Sequence, residues 1–108
     1  MIACTLAILL IACRASLDGP PAQVDGLDPA ILPPDVGAPY ALFSDRCSKC
    51  HSLARALNAS GNTKEYWDDC VERMRRQPGS GISVEDTTVV LRFLYYYAAT
   101  QANVQRPE

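Results

Sequence analysis

The stretch Cys47-Ser48-Lys49-Cys50-His51 determines how this sequence folds and what it can bind. Its two cysteines are separated by two residues and followed directly by a histidine, the only one in the 108 residues. In an exported protein this spacing is typical of covalent haem attachment, in which both thiols form thioethers. The imidazole that follows is placed to ligate the iron. The motif therefore predicts one covalent haem c, attached through Cys47 and Cys50 and ligated by His51.

Three other interpretations of the motif compete with a haem. A redox-active dithiol is expected in a βαβ setting, and no buried strand precedes Cys47. A structural zinc site needs four ligands, whereas the only further cysteine nearby is Cys70. The motif is also short enough to occur by chance. We keep the haem as the prediction because other features of the chain suit an exported protein.

An uncharged apolar run, MIACTLAILLIAC, begins the sequence and ends at Cys13. About a dozen residues are too few to span a bilayer but suit the hydrophobic part of a secretory signal. Leu10-Ile11-Ala12-Cys13 resembles the bacterial lipobox, which implies cleavage before Cys13 and lipidation of that cysteine. We predict a signal peptide at 1–12 and a mature protein anchored on the periplasmic side of a bacterial membrane. The basic segment that is expected before such a run is absent. The alternatives are an ordinary secretory signal of a soluble periplasmic protein, in which Cys13 is incidental, and a buried N-terminal helix.

Residues 13–39 differ in composition from the rest of the chain. They contain six of the eight prolines, three glycines and four aspartates. Proline lacks a backbone donor and restricts the residue before it, so we expect neither a helix nor a central strand here. The segment is predicted to be a flexible linker, with packing of 27–32 on the domain surface as the alternative.

The remaining part, 40–105, is predicted to be one all-α domain of about three helices around the haem, followed by a tail at 106–108. Tyr40 and Phe43 share a face of the first helix. Asn62 is the expected N-cap of the second, and Ser83 of the third. The approximate bounds are Pro39 to the motif, Asn62 to Arg76, and Ser83 to Thr100. The expected apolar faces of the last two helices are Trp67, Cys70, Val71 and Met74, and Val90, Leu91, Leu94, Tyr97 and Ala98.

The net charge of −2 is unevenly distributed along the chain. Residues 14–39 carry one basic and four acidic residues, and 40–108 carry nine basic and eight acidic ones. Nucleic-acid binding is not expected, because it needs a basic excess. Arg73, Arg75 and Arg76 either offset haem propionates and steer an acidic partner, or form a solvated helix end favoured by the helix dipole.

An electron-carrying haem usually has two axial ligands, and the chain has no second histidine. Met74 is the only methionine after the predicted signal peptide, so elimination makes it the expected second ligand. The alternative is that Met74 only fills the core. The iron is then five-coordinate, or bound by a lysine, Cys70 or an external ligand. Trp67, two helical turns before Met74, is predicted to contact the haem, with a general core position as its alternative.

Together these segments resemble the small monohaem class I-type cytochrome c domains of bacteria. The matching elements are Cys47–His51, the pattern Trp67-x3-Val71-x2-Met74, the segment Pro78–Ser83 and the helix around Leu91–Leu94. The resemblance extends over about 43–97, and CxxCH is its specific part. It implies that both motif cysteines attach the haem, that His51 and Met74 are the proximal and distal ligands, and that the first and third helices pack beside it. Only 22 residues separate the two ligands, which places Met74 on a helix or its end.

These features predict an electron carrier and not an enzyme, because the haem supplies the chemistry. Its expected partners are redox proteins such as a dehydrogenase, an oxidase or another cytochrome, and the chain is expected to be a monomer. The alternative function is a haem-based sensor or binding module whose sixth iron position is open or labile. A peroxidase is not expected, since no second histidine can act as the distal acid–base group.

Overall fold

The computed structural model describes residues 25–59, 61–104 and 106. These residues form helices and contain no strand, which confirms the predicted all-α class for this part of the chain. The predicted signal peptide and Cys13 lie outside the described residues. After a 3-10 turn at Pro29–Ile31, the helices are α1 (Pro34–Cys47), α2 (Ala54–Leu57), α3 (Lys64–Arg75) and α4 (Val84–Val104).

Helix α1 begins at Pro34, inside the segment in which we expected no helix, so that expectation is wrong. Pro34 occupies the first turn, where backbone N–H groups have no helical partner and a missing donor costs little. Pro39 lies in the helix interior and removes one hydrogen bond. Its ring is buried together with Val36, and this apolar burial offsets the lost bond.

The segment before α1 packs on the domain, which confirms the alternative for residues 27–32. Leu27 and Leu32 are half-buried against the core. The Tyr40 hydroxyl accepts a hydrogen bond from the Leu27 N–H at 2.6 Å and donates one to the Leu27 carbonyl at 3.0 Å. Gly26 allows this approach: its φ is +107°, a region that favours glycine, and a Cβ there would collide with the Tyr40 hydroxyl.

Helix α3 begins one residue later than predicted. Its N-cap is Thr63, whose hydroxyl accepts a hydrogen bond from the Tyr66 N–H at 3.2 Å. Asn62 is not the cap, because its side-chain amide donates to the Ala59 carbonyl instead. The predicted N-cap at Asn62 is therefore wrong, although the predicted helix is present.

Helix α4 begins after Ser83, as predicted, and continues past the expected end at Thr100 to Val104. The Ser83 hydroxyl accepts from the Asp86 N–H at 3.0 Å, and the Asp86 carboxylate accepts from the Ser83 N–H at 3.1 Å. This reciprocal pair satisfies two backbone donors at the helix start. Although α4 has 21 residues, no helix in the described part is apolar enough over sufficient length to cross a bilayer.

Helices α1 and α3 both pack against α4, and Phe93 of α4 is central to this packing. Its side chain is 0% exposed. Its ring centroid lies 4.7 Å from that of Phe43, 5.0 Å from that of Tyr40 and 5.8 Å from that of Tyr97. Tyr40 and Phe43 are buried together, as their spacing predicted. Phe93 was absent from the predicted face of α4, although it is the most buried residue there.

We expect Phe93→Ala to lower the free energy of unfolding by about 3–5 kcal/mol, because it leaves a cavity where α1 meets α4. Equilibrium urea unfolding of the purified protein measures the change. The control is Val84→Ala in the same helix, whose side chain is 63% exposed and whose effect should stay within about 0.5 kcal/mol. Similar losses for both variants would contradict this account of the core.

Candidate functional site

A cavity of about 230 Å³ opens between the end of α1, the segment 51–59, α3 and one face of α4. Four of the predicted site residues line it: Cys47, His51, Trp67 and Met74. They come from two separate parts of the chain, the motif and α3, so their meeting in one cavity does not follow from the motif spacing alone. The remaining wall is largely apolar and includes Phe43, Val71, Ile82, Val90 and Leu94.

Among the predicted haem-binding residues that the structure describes, Cys50 is the one that does not line the cavity. It is exposed in the turn after α1, three residues beyond Cys47. Cys47, Cys50 and Cys70 are all free thiols. Within the described residues, no three His, Cys, Asp or Glu side chains gather as they would around a metal ion, so a zinc site gains no support.

The His51 ring is held in a defined tautomer. Its Nδ1 lies 3.0 Å from the carbonyl oxygen of Ser52. A carbonyl oxygen only accepts hydrogen bonds, so Nδ1 is the donor, and in the neutral ring this leaves the lone pair on Nε2. A neutral imidazole with a free Nε2 is a suitable metal ligand, and the second hydrogen bond orients its ring.

Helix α3 presents Trp67, Cys70 and Met74 to the cavity along one face. Trp67 is buried, while Cys70 and Met74 are half-buried. The spacing of seven residues predicted that Trp67 and Met74 share a face, and their common position in the cavity wall confirms it. Cys70, which was predicted on the same apolar face, also lies in the cavity wall.

The indole N–H of Trp67 has no hydrogen-bond partner among the described residues, although Trp67 is 2% exposed. A buried donor that stays unpaired costs about 1–3 kcal/mol. Among the buried side-chain nitrogen and oxygen atoms of the described part, it is the only one in this state. The residue that carries it lines the cavity, so a bound group with an acceptor oxygen would suit this site.

The Cys47 thiol is kept protonated by its surroundings. Burial raises its pKa to about 11, and the neighbouring Cys70 thiol adds to the shift. The thiolate is the reactive form of cysteine. Cys47 is therefore a poor nucleophile at neutral pH, unlike the low-pKa cysteine of a redox-active dithiol.

Two arginines, Arg55 and Arg73, stand at the cavity wall. The other two members of the predicted basic cluster face elsewhere: Arg75 and Arg76 pair with Glu72 at 2.6 and 2.7 Å. Hydrogen bonds from Arg75 and then Arg76 lower the pKa of Glu72 to about 2. The sequence did not single out Arg55, because only the path of the chain through α2 brings it to the cavity.

No family model matches the chain, and neither a curated protein nor a solved structure is significantly similar to it.

In the haem-free protein we expect iodoacetamide to modify Cys50 faster than Cys47 at pH 8. Cys50 is exposed, whereas the pKa of about 11 leaves little Cys47 thiolate. Mass spectrometry of timed samples measures both rates, because trypsin cleaves after Arg46 and Lys49 and separates the two cysteines.

Raising the pH towards 11 should accelerate Cys47 selectively, and urea should bring the two rates together. Equal rates in the folded protein at pH 8 would show that Cys47 is not shielded by this cavity.

Proposed function

We propose that this chain is a small monohaem cytochrome c domain that transfers single electrons between protein partners. The observation that supports it best is the meeting of Cys47, His51 and Met74 in one apolar cavity. On this proposal Cys47 and Cys50 attach the haem, and His51 and Met74 are its axial ligands. The packing of α1 and α4 beside the cavity agrees with the arrangement that the resemblance implied.

The residues of the cavity fit a haem chemically. Apolar walls suit the porphyrin, the free Nε2 of His51 suits the iron, and the Met74 thioether is a common second ligand. The unpaired indole N–H of Trp67 and the guanidinium groups of Arg55 and Arg73 suit the carboxylates at the haem edge. Attachment of the second thioether requires Cys50 to turn from the surface towards the cavity rim.

When bound, the haem supplies a reversible one-electron change at its iron. The chain's own residues determine how readily that change occurs. Met74 lies in the cavity wall on α3, which is packed against α4. A thioether ligand raises the reduction potential relative to a second histidine.

The same proposal includes the surroundings in which the domain acts. Lipidation of Cys13 would hold it on the periplasmic side of a bacterial membrane, within reach of a dehydrogenase, an oxidase or another cytochrome. Arg55 and Arg73 give the cavity edge a positive charge, which favours approach of an acidic partner surface. The domain itself is proposed to be a monomeric carrier without enzymatic activity and without nucleic-acid binding.

Full-length protein made in a cytochrome-maturing host should retain haem after denaturation, and the double variant Cys47→Ala/Cys50→Ala should not. The oxidised protein should show the weak sulfur-to-iron absorption near the red end of its spectrum. Met74→Ala should abolish this band. The same variant should lower the midpoint potential by about 60–120 mV, which corresponds to a ten- to hundredfold loss of preference for ferrous iron.

Cys70→Ala is the matched control, because Cys70 lies one turn from Met74 in the same cavity wall. It should leave the band and the potential unchanged. Loss of the band in Cys70→Ala and not in Met74→Ala would assign the ligand to Cys70. Rapid binding of carbon monoxide by the reduced wild-type protein would favour the sensor over the electron carrier.

Cys13→Ser should move the protein from the membrane to the soluble periplasmic fraction, because it removes the proposed lipid attachment site. Fractionation followed by immunoblotting measures the distribution. Cys4→Ser is the control and should remain with the membrane, since Cys4 belongs to the predicted signal peptide. A Cys13→Ser protein that stays in the membrane would exclude lipidation as the anchor.

A further inference from the structure

Asp25 and His51 lie on opposite sides of the same peptide group. The Leu53 N–H donates to Oδ2 of Asp25 at 2.8 Å, and Nδ1 of His51 donates to the Ser52 carbonyl at 3.0 Å. That carbonyl and that N–H are the two polar ends of the peptide that joins Ser52 to Leu53. The hydrogen bonds thus form a chain from a carboxylate, through one peptide, to the imidazole.

The carboxylate makes the peptide a stronger acceptor. A hydrogen bond to an ionised carboxylate is about twice as strong as one between neutral groups. It pulls the peptide N–H and increases the negative charge on the carbonyl at the other end, with a cooperative gain of about 10–30% per bond. The hydrogen bond from Nδ1 of His51 is then stronger, and Nε2 becomes a better electron donor.

Further hydrogen bonds of Asp25 and of the neighbouring Leu27 hold the carboxylate at this position. A second carboxylate oxygen, Oδ1, accepts from the Ala54 N–H at 3.1 Å. Two residues further along, Leu27 is held by both hydrogen bonds to the Tyr40 hydroxyl. The carboxylate is therefore fixed by contacts on either side of it, although it precedes Leu53 by 28 positions in the sequence.

We propose that Asp25 is a positioning residue for His51, which acts through the Ser52–Leu53 peptide to orient the imidazole and to strengthen its donation to a bound iron. The inference rests on the proposed function, because it concerns the ligand of a haem. Stronger donation stabilises ferric over ferrous iron, so Asp25 lowers the reduction potential and opposes the effect of Met74.

The test uses full-length protein with haem attached and the variant Asp25→Asn, which keeps the side-chain shape and one acceptor oxygen. In this variant the stabilisation of ferric over ferrous iron by His51 should fall about tenfold, which raises the midpoint potential by about 59 mV. In a Met74→Ala background, the ferrous iron–histidine stretching frequency in resonance Raman spectra should fall. Asp25→Glu, which keeps the carboxylate, should restore part of both changes.

Asp28→Asn is the control for charge alone. Asp28 belongs to the same segment and is exposed, and its side chain accepts a hydrogen bond from the Ala30 N–H at 2.9 Å. It should leave the stretching frequency unchanged and should shift the potential less than Asp25→Asn does. Equal potential shifts in the two variants, or an unchanged stretching frequency in Asp25→Asn, would overturn the inference.

Tyr40→Phe tests whether His51 responds to the attachment of the segment that carries Asp25 or to the hydrogen bonds of the Asp25 carboxylate. It removes both bonds to Leu27 and leaves the Asp25 carboxylate intact, so the stretching frequency should change less than in Asp25→Asn. A larger change in Tyr40→Phe would show that attachment of the segment, and not the carboxylate, controls His51. Absence of covalent haem from the wild-type protein would contradict the proposed function. If haem is attached but Asp25→Asn changes neither the potential nor the stretching frequency, only this inference is contradicted.

Discussion

The packing of α1 and α3 onto the same helix, α4, is the constraint on which the rest of the structure depends. Phe93 fills the space between α1 and α4. Trp67 and Val71 anchor α3. Because α1 ends at Cys47, it does not fill the space beside the α3 face that carries Cys70 and Met74, which borders the cavity together with one face of α4. The cavity is the space left there, and the CxxCH motif lies at its edge.

Polar contacts then hold the motif from both ends. The Nε of Arg46, the residue before Cys47, donates to the Asp86 carboxylate at 3.0 Å and so joins the end of α1 to the start of α4. After the motif, the peptide between Ser52 and Leu53 bonds both His51 and Asp25. A haem-ligating imidazole benefits from such support, because its direction is set by its neighbours and not by its own two side-chain torsions.

Local signals in the sequence predicted those parts of the fold that depend on neighbouring residues. The spacing of Trp67 and Met74 placed both in the cavity wall, and Ser83 marked the start of α4. The expectation that the proline-rich segment forms no helix was wrong, because burial of Pro39 offsets the one hydrogen bond that it removes from α1. Contacts between distant residues left no such signal: Asp25 and Arg55 reach the site only through the path of the folded chain, and the sequence did not reveal them.

The attachment of residues 25–32 to the core also limits the length of chain between Cys13 and the folded domain. On the proposed lipidation of Cys13, twelve peptide steps connect the lipidated cysteine to Asp25, the first residue that the structure describes. Each step covers at most about 3.6 Å, so Asp25 stays within about 40 Å of Cys13. On the proposed function, redox partners would have to reach the domain within the distance that this tether allows.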